Sequence, residues 1–170
     1  MNYIHKGIKM LARIICLLTI TFCASVSATV TNLDKKTVLI TGGLSGMGKD
    51  IAMEFKNAGW NVWVTSRNPS QYETLSGVTV RKLDVTNQAE IKQLLTDIKA
   101  KDGRLDVLVN NAGYGIVGPT ETISAAQARN LMDVNVIGPF LLMQAALPVM
   151  RANHGGHIIN ISSTSALRAL

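Results

Sequence analysis

The chain has 170 residues, 47% hydrophobic and 16% charged, with Lys+Arg 17 against Asp+Glu 11 for a net charge of +6. That length suits one domain with a real core, is short for two, and the apolar content excludes a disordered chain. Residues 1–28 carry Lys6, Lys9 and Arg13 and no acid, so the rest is only weakly basic, which argues against a nucleic-acid-binding surface.

The first element is that basic segment. Ile14 to Ala24 is an apolar run interrupted by Thr19 and Thr21, and Ser25-Val26-Ser27-Ala28 follows it. A basic stretch, a short apolar core and a small-x-small exit have the pattern of a signal peptide cleaved after Ala28. The run is short for a membrane span; an uncleaved membrane anchor is the second reading, and a misplaced start codon ahead of a cytoplasmic protein the third. The expected organisation is residues 1–28 as leader or anchor and residues 29–170 as one folded domain, exported or membrane-associated, with the cytoplasm as the alternative. Both cysteines, Cys16 and Cys23, fall in the leader, so thiols do not report the compartment. No metal-binding spacing occurs.

Beyond Lys36 two kinds of element alternate. Thr37 to Thr41 is a β-branched apolar run of the kind buried on both faces of a parallel sheet. After the glycine-rich stretch Gly42 to Gly48, the residues Met47, Ile51, Phe55 and Ala58 recur at helical spacing up to Gly59. Asn61 to Thr65 and Val78 to Leu83 read as strands. A helix over 87–101 is opened by an Asn87/Glu90 capping box and carries Ile91, Leu94, Leu95 and Ile98 on one face. Leu105 to Val109 is a fourth strand, Ser124 with Gln127 caps a long apolar helix to about Met150, and His157 to Ile161 is a fifth strand. Strands alternating with helices predict an α/β fold, a Rossmann-like doubly wound parallel sheet with helices on both faces.

The chemistry starts at Thr41-Gly42-Gly43-Leu44-Ser45-Gly46-Met47-Gly48. Between a strand and a helix, glycines let the backbone turn sharply and approach a ligand, and the helix N–H groups face an anion. Its Gly-x-x-x-Gly-x-Gly spacing differs from the common Gly-x-Gly-x-x-Gly fingerprint. The stretch resembles the short-chain dehydrogenase/reductase family, and other matches follow in order: Asp84-Val85, Asn110-Asn111-Ala112-Gly113, Asn135 within Asp133-Val134-Asn135-Val136, and Gly156 to Ser163.

The resemblance implies a nicotinamide-dependent oxidoreductase that moves hydride between NADP(H) and a secondary alcohol or ketone. It implies cofactor contacts from Thr41, Gly42, Leu44, Ser45, Gly46, Met47 and Gly48 around the pyrophosphate, from Asp84 and Val85 at the adenine, and from Asn111, Ala112 and Gly113. Ser163 and Asn135 resemble two of the family's four catalytic residues, the serine holding the substrate oxygen and Asn135 a relay water. Pro139 has no N–H for the Asn135 carbonyl, so an interrupted helix is expected there. Tyr114 lies near the cofactor mouth by analogy, without a partnering lysine.

After the second strand, NAD-selective enzymes place an acid, whereas this chain reads Thr65-Ser66-Arg67-Asn68. Ser66 leaves room for a 2′-phosphate and Arg67 pairs with it, so NADP(H) is favoured over NAD(H). The family's Tyr-x-x-x-Lys motif belongs downstream of Ser163 and does not occur before Leu170. The chain therefore reads as a truncated member, expected to be inactive or a fragment; a non-catalytic nucleotide-binding or interaction remnant is the alternative. The substrate is expected to be a small alcohol or carbonyl compound, lipophilic ones included. Further expectations are no nucleic acid, possible membrane association through residues 1–28, and a homo-oligomer at full length.

Overall fold

The computed structural model describes residues 35–73 and 75–163; the leader expected at residues 1–28 lies outside them. The strands are β1 (Thr37–Thr41), β2 (Asn61–Ser66), β3 (Thr79–Lys82), β4 (Val107–Asn110) and β5 (His157–Asn160). All pair in parallel, in the order β3-β2-β1-β4-β5. Helix α1 (Gly46–Asn57) follows β1, α2 (Gln88–Asp102) follows β3, and α3 (Ala125–Met132) leads through a π turn at Asp133–Ile137 into α4 (Gly138–Ala152). Short 3₁₀ turns occupy Pro69–Gln71 and Thr120–Thr122.

Period-two alternation decides which side chain goes where. Along β1, Val38 and Ile40 join one core with Ala52 of α1, Val62, Val64, Val107 and Val109. Leu39 points the other way, into a core built from Trp63, Leu108, the apolar face of α2 and Leu142, Ala146 and Met150 of α4. The sheet thus has α1 on one face and α2 and α4 on the other, the doubly wound layering expected. Among the described residues, Ala125–Ala152 is long and apolar enough to cross a membrane by length and composition alone; its α4 part packs Leu142, Ala146 and Met150 into this core.

Several boundaries differ from the sequence reading, each for a visible reason. Strand β4 begins two residues late because Arg104 and Asp106 pair through two hydrogen bonds of 2.8 and 2.6 Å, and the Asp106 carboxylate also accepts the Thr37 N–H at 2.8 Å. Met47, placed by its spacing on the core face of α1, is 59% exposed instead. The Asn87 side chain accepts the Ala89 and Glu90 N–H groups at 3.0 and 3.2 Å. The expected return bond from Glu90 is diverted, because its carboxylate accepts the Asp84 N–H at 2.7 Å while the Asn87 N–H reaches the Asp84 carbonyl at 3.0 Å. The Ser124/Gln127 box closes in both directions.

The helix carrying Asn135 is continuous but leaves the α pattern where Pro139 predicted an interruption. The Gly138 N–H bonds the Asp133 carbonyl, five residues back, the spacing of a π turn. Gly138 itself is pressed against the chain after β3: a Cβ there would stand 2.8 Å from Val85 Cγ2 and 3.2 Å from the Val85 carbonyl oxygen.

Candidate active site

The C-terminal ends of β1, β2, β3 and β4 open on a cleft of about 260 Å³, where ligands bind in open α/β sheets. Gly42, Ser45, Met47, Gly48, Ser66, Arg67, Asp84, Val85, Asn111, Ala112 and Gly113, all expected as cofactor contacts, are brought together in its lining with Tyr72, Leu83, Tyr114 and Val134. Met47 is exposed because it forms the rim of this cleft. Three expected residues, Thr41, Leu44 and Gly46, are outside this lining. Leu44 is only 6% exposed and its side chain belongs to the α1-side core, so what it brings to the loop is backbone. Gly46 takes φ +49° at the turn into α1.

Thr41 is buried and ties the two cleft loops together. Its hydroxyl oxygen accepts the Asn111 and Ala112 N–H groups, both at 3.0 Å, and donates to the Val109 carbonyl at 3.4 Å. Asn111 Nδ2 returns to the Thr41 and Gly42 carbonyls at 2.9 and 3.1 Å. Gly48 is held to the tightest tolerance: a Cβ would lie 2.4 Å from both Asn111 Nδ2 and the Gly42 oxygen. Glycine is needed there because two backbone segments meet.

The electrostatics of the cleft favour an anion. Ser45 precedes α1 but its side chain makes no capping bond, and the first turn holds no acid. Helices α2 and α3, by contrast, are capped by Asn87 and Ser124. The first-turn N–H groups of α1 therefore carry the partial positive charge of the helix end beside the cleft without a side-chain partner. At the opposite wall, the Thr86 N–H lowers the Asp84 pKa most; partial burial opposes it, and the Thr86 hydroxyl and the Arg67 charge add to the lowering. Asp84 Oδ1 accepts both Thr86 groups, at 2.9 and 2.8 Å, so the carboxylate stays ionised and oriented.

Asn135 joins its side-chain amide to a neighbouring loop at both its oxygen and its nitrogen. Its Oδ1 accepts the Tyr114 N–H at 3.1 Å and its Nδ2 donates to the Tyr114 carbonyl at 2.7 Å. The Tyr114 hydroxyl accepts from Asn130 Nδ2 at 2.9 Å. The side chain of Asn135 thus clamps the Tyr114 main chain, with one amide N–H and one oxygen lone pair beyond these two bonds. Ser163 is exposed beyond the C-terminal end of β5. It stands at the same end of the sheet as the cleft but outside its lining. Beside it, Asn110 Nδ2 donates to Asn160 Oδ1 at 2.8 Å and the Ile161 N–H to the Asn110 carbonyl at 2.9 Å.

Sequence reasoning missed Glu90 as a support for Asp84, since capping-box spacing predicts a local partner. It also missed Val134 and Leu83 as cleft walls, because both read as ordinary apolar periodicity.

Residues 36–170 match the family model described as short chain dehydrogenase. A 3-ketodihydrosphingosine reductase of Bacteroides thetaiotaomicron is 39% identical over 78% of this chain and 49% of its own length. Retinol dehydrogenase 8 of Homo sapiens is 37% identical over 79% of this chain and 46% of its own. The chain thus spans about half the length of the curated relatives it matches. Among solved structures, a metagenomic short-chain oxidoreductase in complex with NADP superposes with a TM-score of 0.73 at 33% identity, covering 82% of this chain and 66% of that one.

Proposed function

The chain belongs to the short-chain dehydrogenase family, and on that premise we propose that it binds NADP(H) in the β1–β4 cleft as part of an oxidoreductase acting on a secondary alcohol or ketone. The observation that carries this reading is the α1 terminus, which lacks both a side-chain cap and an acid and stands beside a glycine loop too tight for a Cβ at Gly48. That combination fits a pyrophosphate. When bound, the nicotinamide donates or accepts hydride. The Gly42 to Gly48 loop binds phosphate oxygens through N–H groups, Asp84 and Val85 hold the adenine side, and Asn111, Ala112 and Gly113 form the floor.

Ser66 and Arg67 select the 2′-phosphate. No carboxylate follows β2 at this point, and Arg67 presents a planar charged fork. Asn135 positions the Tyr114 loop and offers its main-chain carbonyl to a relay water, and Ser163 holds the substrate oxygen. A lipophilic alcohol or carbonyl substrate is supported by the names of the two curated relatives. Val136, Ile137, Phe140 and Leu147 are exposed apolar residues on the long helix and support a homo-oligomer built on that face, to be read by light scattering after size exclusion. The leader pattern of residues 1–28 supports export or membrane attachment, and fractionating an intact fusion decides between these and the cytoplasm.

Binding is the direct test of the cofactor reading. Titration with NADPH and NADH should give tighter binding of NADPH; equal affinities would defeat the assignment of Ser66 and Arg67, and binding of neither would defeat the cofactor site.

A further inference from the structure

The end of the sheet opposite the cleft is a second functional surface. Register places Thr37, Asn61 and, one residue further along β1, Val107 and His157 at this end. Lys35 and Lys36 precede β1, and Lys56, Lys99, Lys101 and Arg151 occupy the last turns of α1, α2 and α4. Contacts fix two of them there: Lys56 Cε lies against Gly77, just ahead of β3, and Lys101 Nζ donates to Thr79 at its start, at 2.9 Å. Two acids at this pole are already engaged, and Glu54, exposed in the last turn of α1, is one charge against the six cations. Asp106 is paired with Arg104, and Asp102 is buried, accepting the Trp63 indole N–H at 2.7 Å.

Helix dipoles account for cations in last turns, but not for Lys35 and Lys36, nor for the aromatic group between them and α1. Trp60 is half-buried, packs edge-on against Phe55 at 4.9 Å between centroids, and has Lys36 Nζ 5.5 Å from its ring centre. A partly exposed tryptophan with a lysine over its ring, at a pole rich in further lysines, is the composition of a surface that rests on a lipid headgroup layer. Lys35 is also where residues 1–34 join the described fold, and that segment carries Lys6, Lys9, Arg13 and the apolar run Ile14 to Ala24.

We propose that this basic pole, centred on Lys35, Lys36 and Trp60, docks the domain onto a membrane rich in anionic phospholipid, with the cleft at the far ends of the strands facing water. The inference stands on charge and geometry and is independent of the cofactor reading.

The test uses the full chain and phosphatidylcholine vesicles with or without phosphatidylglycerol. Binding should strengthen with phosphatidylglycerol and weaken with salt. Replacing Lys35, Lys36 and Lys99 together by Gln should cost about fivefold per lysine, about a hundredfold in all, on the anionic vesicles only. Lys92→Gln, on the first half of α2, should bind as the parent chain does. Brominated lipid should quench Trp60 emission, and Trp60→Phe should remove that quenching while leaving the buried Trp63 signal. The proposal is overturned if the triple variant binds anionic vesicles like the parent, if both vesicle types bind equally, if Trp60 is not quenched, or if a DNA duplex binds as tightly at the same salt.

Discussion

Adding one methyl group at Gly48 sets helix propensity against steric fit. Gly48 is inside α1, where alanine is favoured over glycine by about 1 kcal/mol. Its new Cβ would stand 2.4 Å from the Gly42 oxygen and from Asn111 Nδ2, a full ångström short of ordinary 3.4 Å contact; the first is backbone and the second is tied down by two hydrogen bonds. Overpacking of this kind costs about 1–3 kcal/mol. Displacing Asn111 also gives up its bonds to the Thr41 and Gly42 carbonyls, about 1 kcal/mol each. After crediting the propensity, Gly48→Ala should destabilise the domain by about 2–4 kcal/mol. Urea unfolding followed by tryptophan fluorescence measures this, and NADPH titration of the folded variant should show at least about a tenfold weaker site, the equivalent of some 1.4 kcal/mol. Gly46→Ala is the comparison: no atom lies within 4 Å of its Cβ, but φ is +49°, so only the left-handed backbone term of about 1–2 kcal/mol applies. A Gly48→Ala midpoint equal to or above that of the parent would refute the steric account of the cradle.

Other outcomes follow from individual contacts. Arg67→Gln should weaken NADPH about 10- to 100-fold, the worth of a hydrogen bond to a charged group, and leave NADH unchanged; paired titrations check it. Trp63→Phe should cost about 1–3 kcal/mol in urea unfolding, because buried Asp102 loses its 2.7 Å indole donor. Burial raises the Asp106 pKa, but Arg104, the Thr37 N–H and Lys36 outweigh it and hold the value below the ordinary 3.8. A group depressed in the folded state stabilises above its unfolded pKa and loses that stability as pH falls through its folded one. Asp106→Asn should therefore flatten the loss of stability below about pH 4, read from urea midpoints across an acid series.

What was legible in the sequence was whatever a short window decides. The runs around Leu39, Val64 and Leu108 are apolar on both faces, so they announced interior strands; the glycine loop announced its own turn. The misses involve partners far apart in the chain. Nothing near Glu90 signals that its carboxylate takes the Asp84 N–H rather than the Asn87 N–H, keeping only the Asn87 side-chain amide as its local partner. Met47 fits a helical stripe by spacing, but the stripe begins one turn later, since the first turn of α1 is the rim of a cleft. Pro139 marked where the long helix leaves its regular ladder, yet absence of one donor could not say whether the chain would bend, end or take a wider turn. Asn135 was identified through family resemblance, and the bond of its side chain to Tyr114 spans 21 residues, beyond any periodicity argument.

The π turn has a consequence for how this wall of the cleft can vary. A wider turn holds one residue more than an α-helix uses over the same path, and each α residue advances about 100° round the axis. Deleting a single residue from 133–137 would therefore let the ladder close regularly with Leu142, Ala146 and Met150 still on the sheet and Asn130 still facing the Tyr114 hydroxyl; what disappears is the widened turn itself. Deleting a residue from the regular part of α3 has no such slack and would turn everything before it by about 100°, so the segment tolerates a change of length in its wide turn and nowhere else.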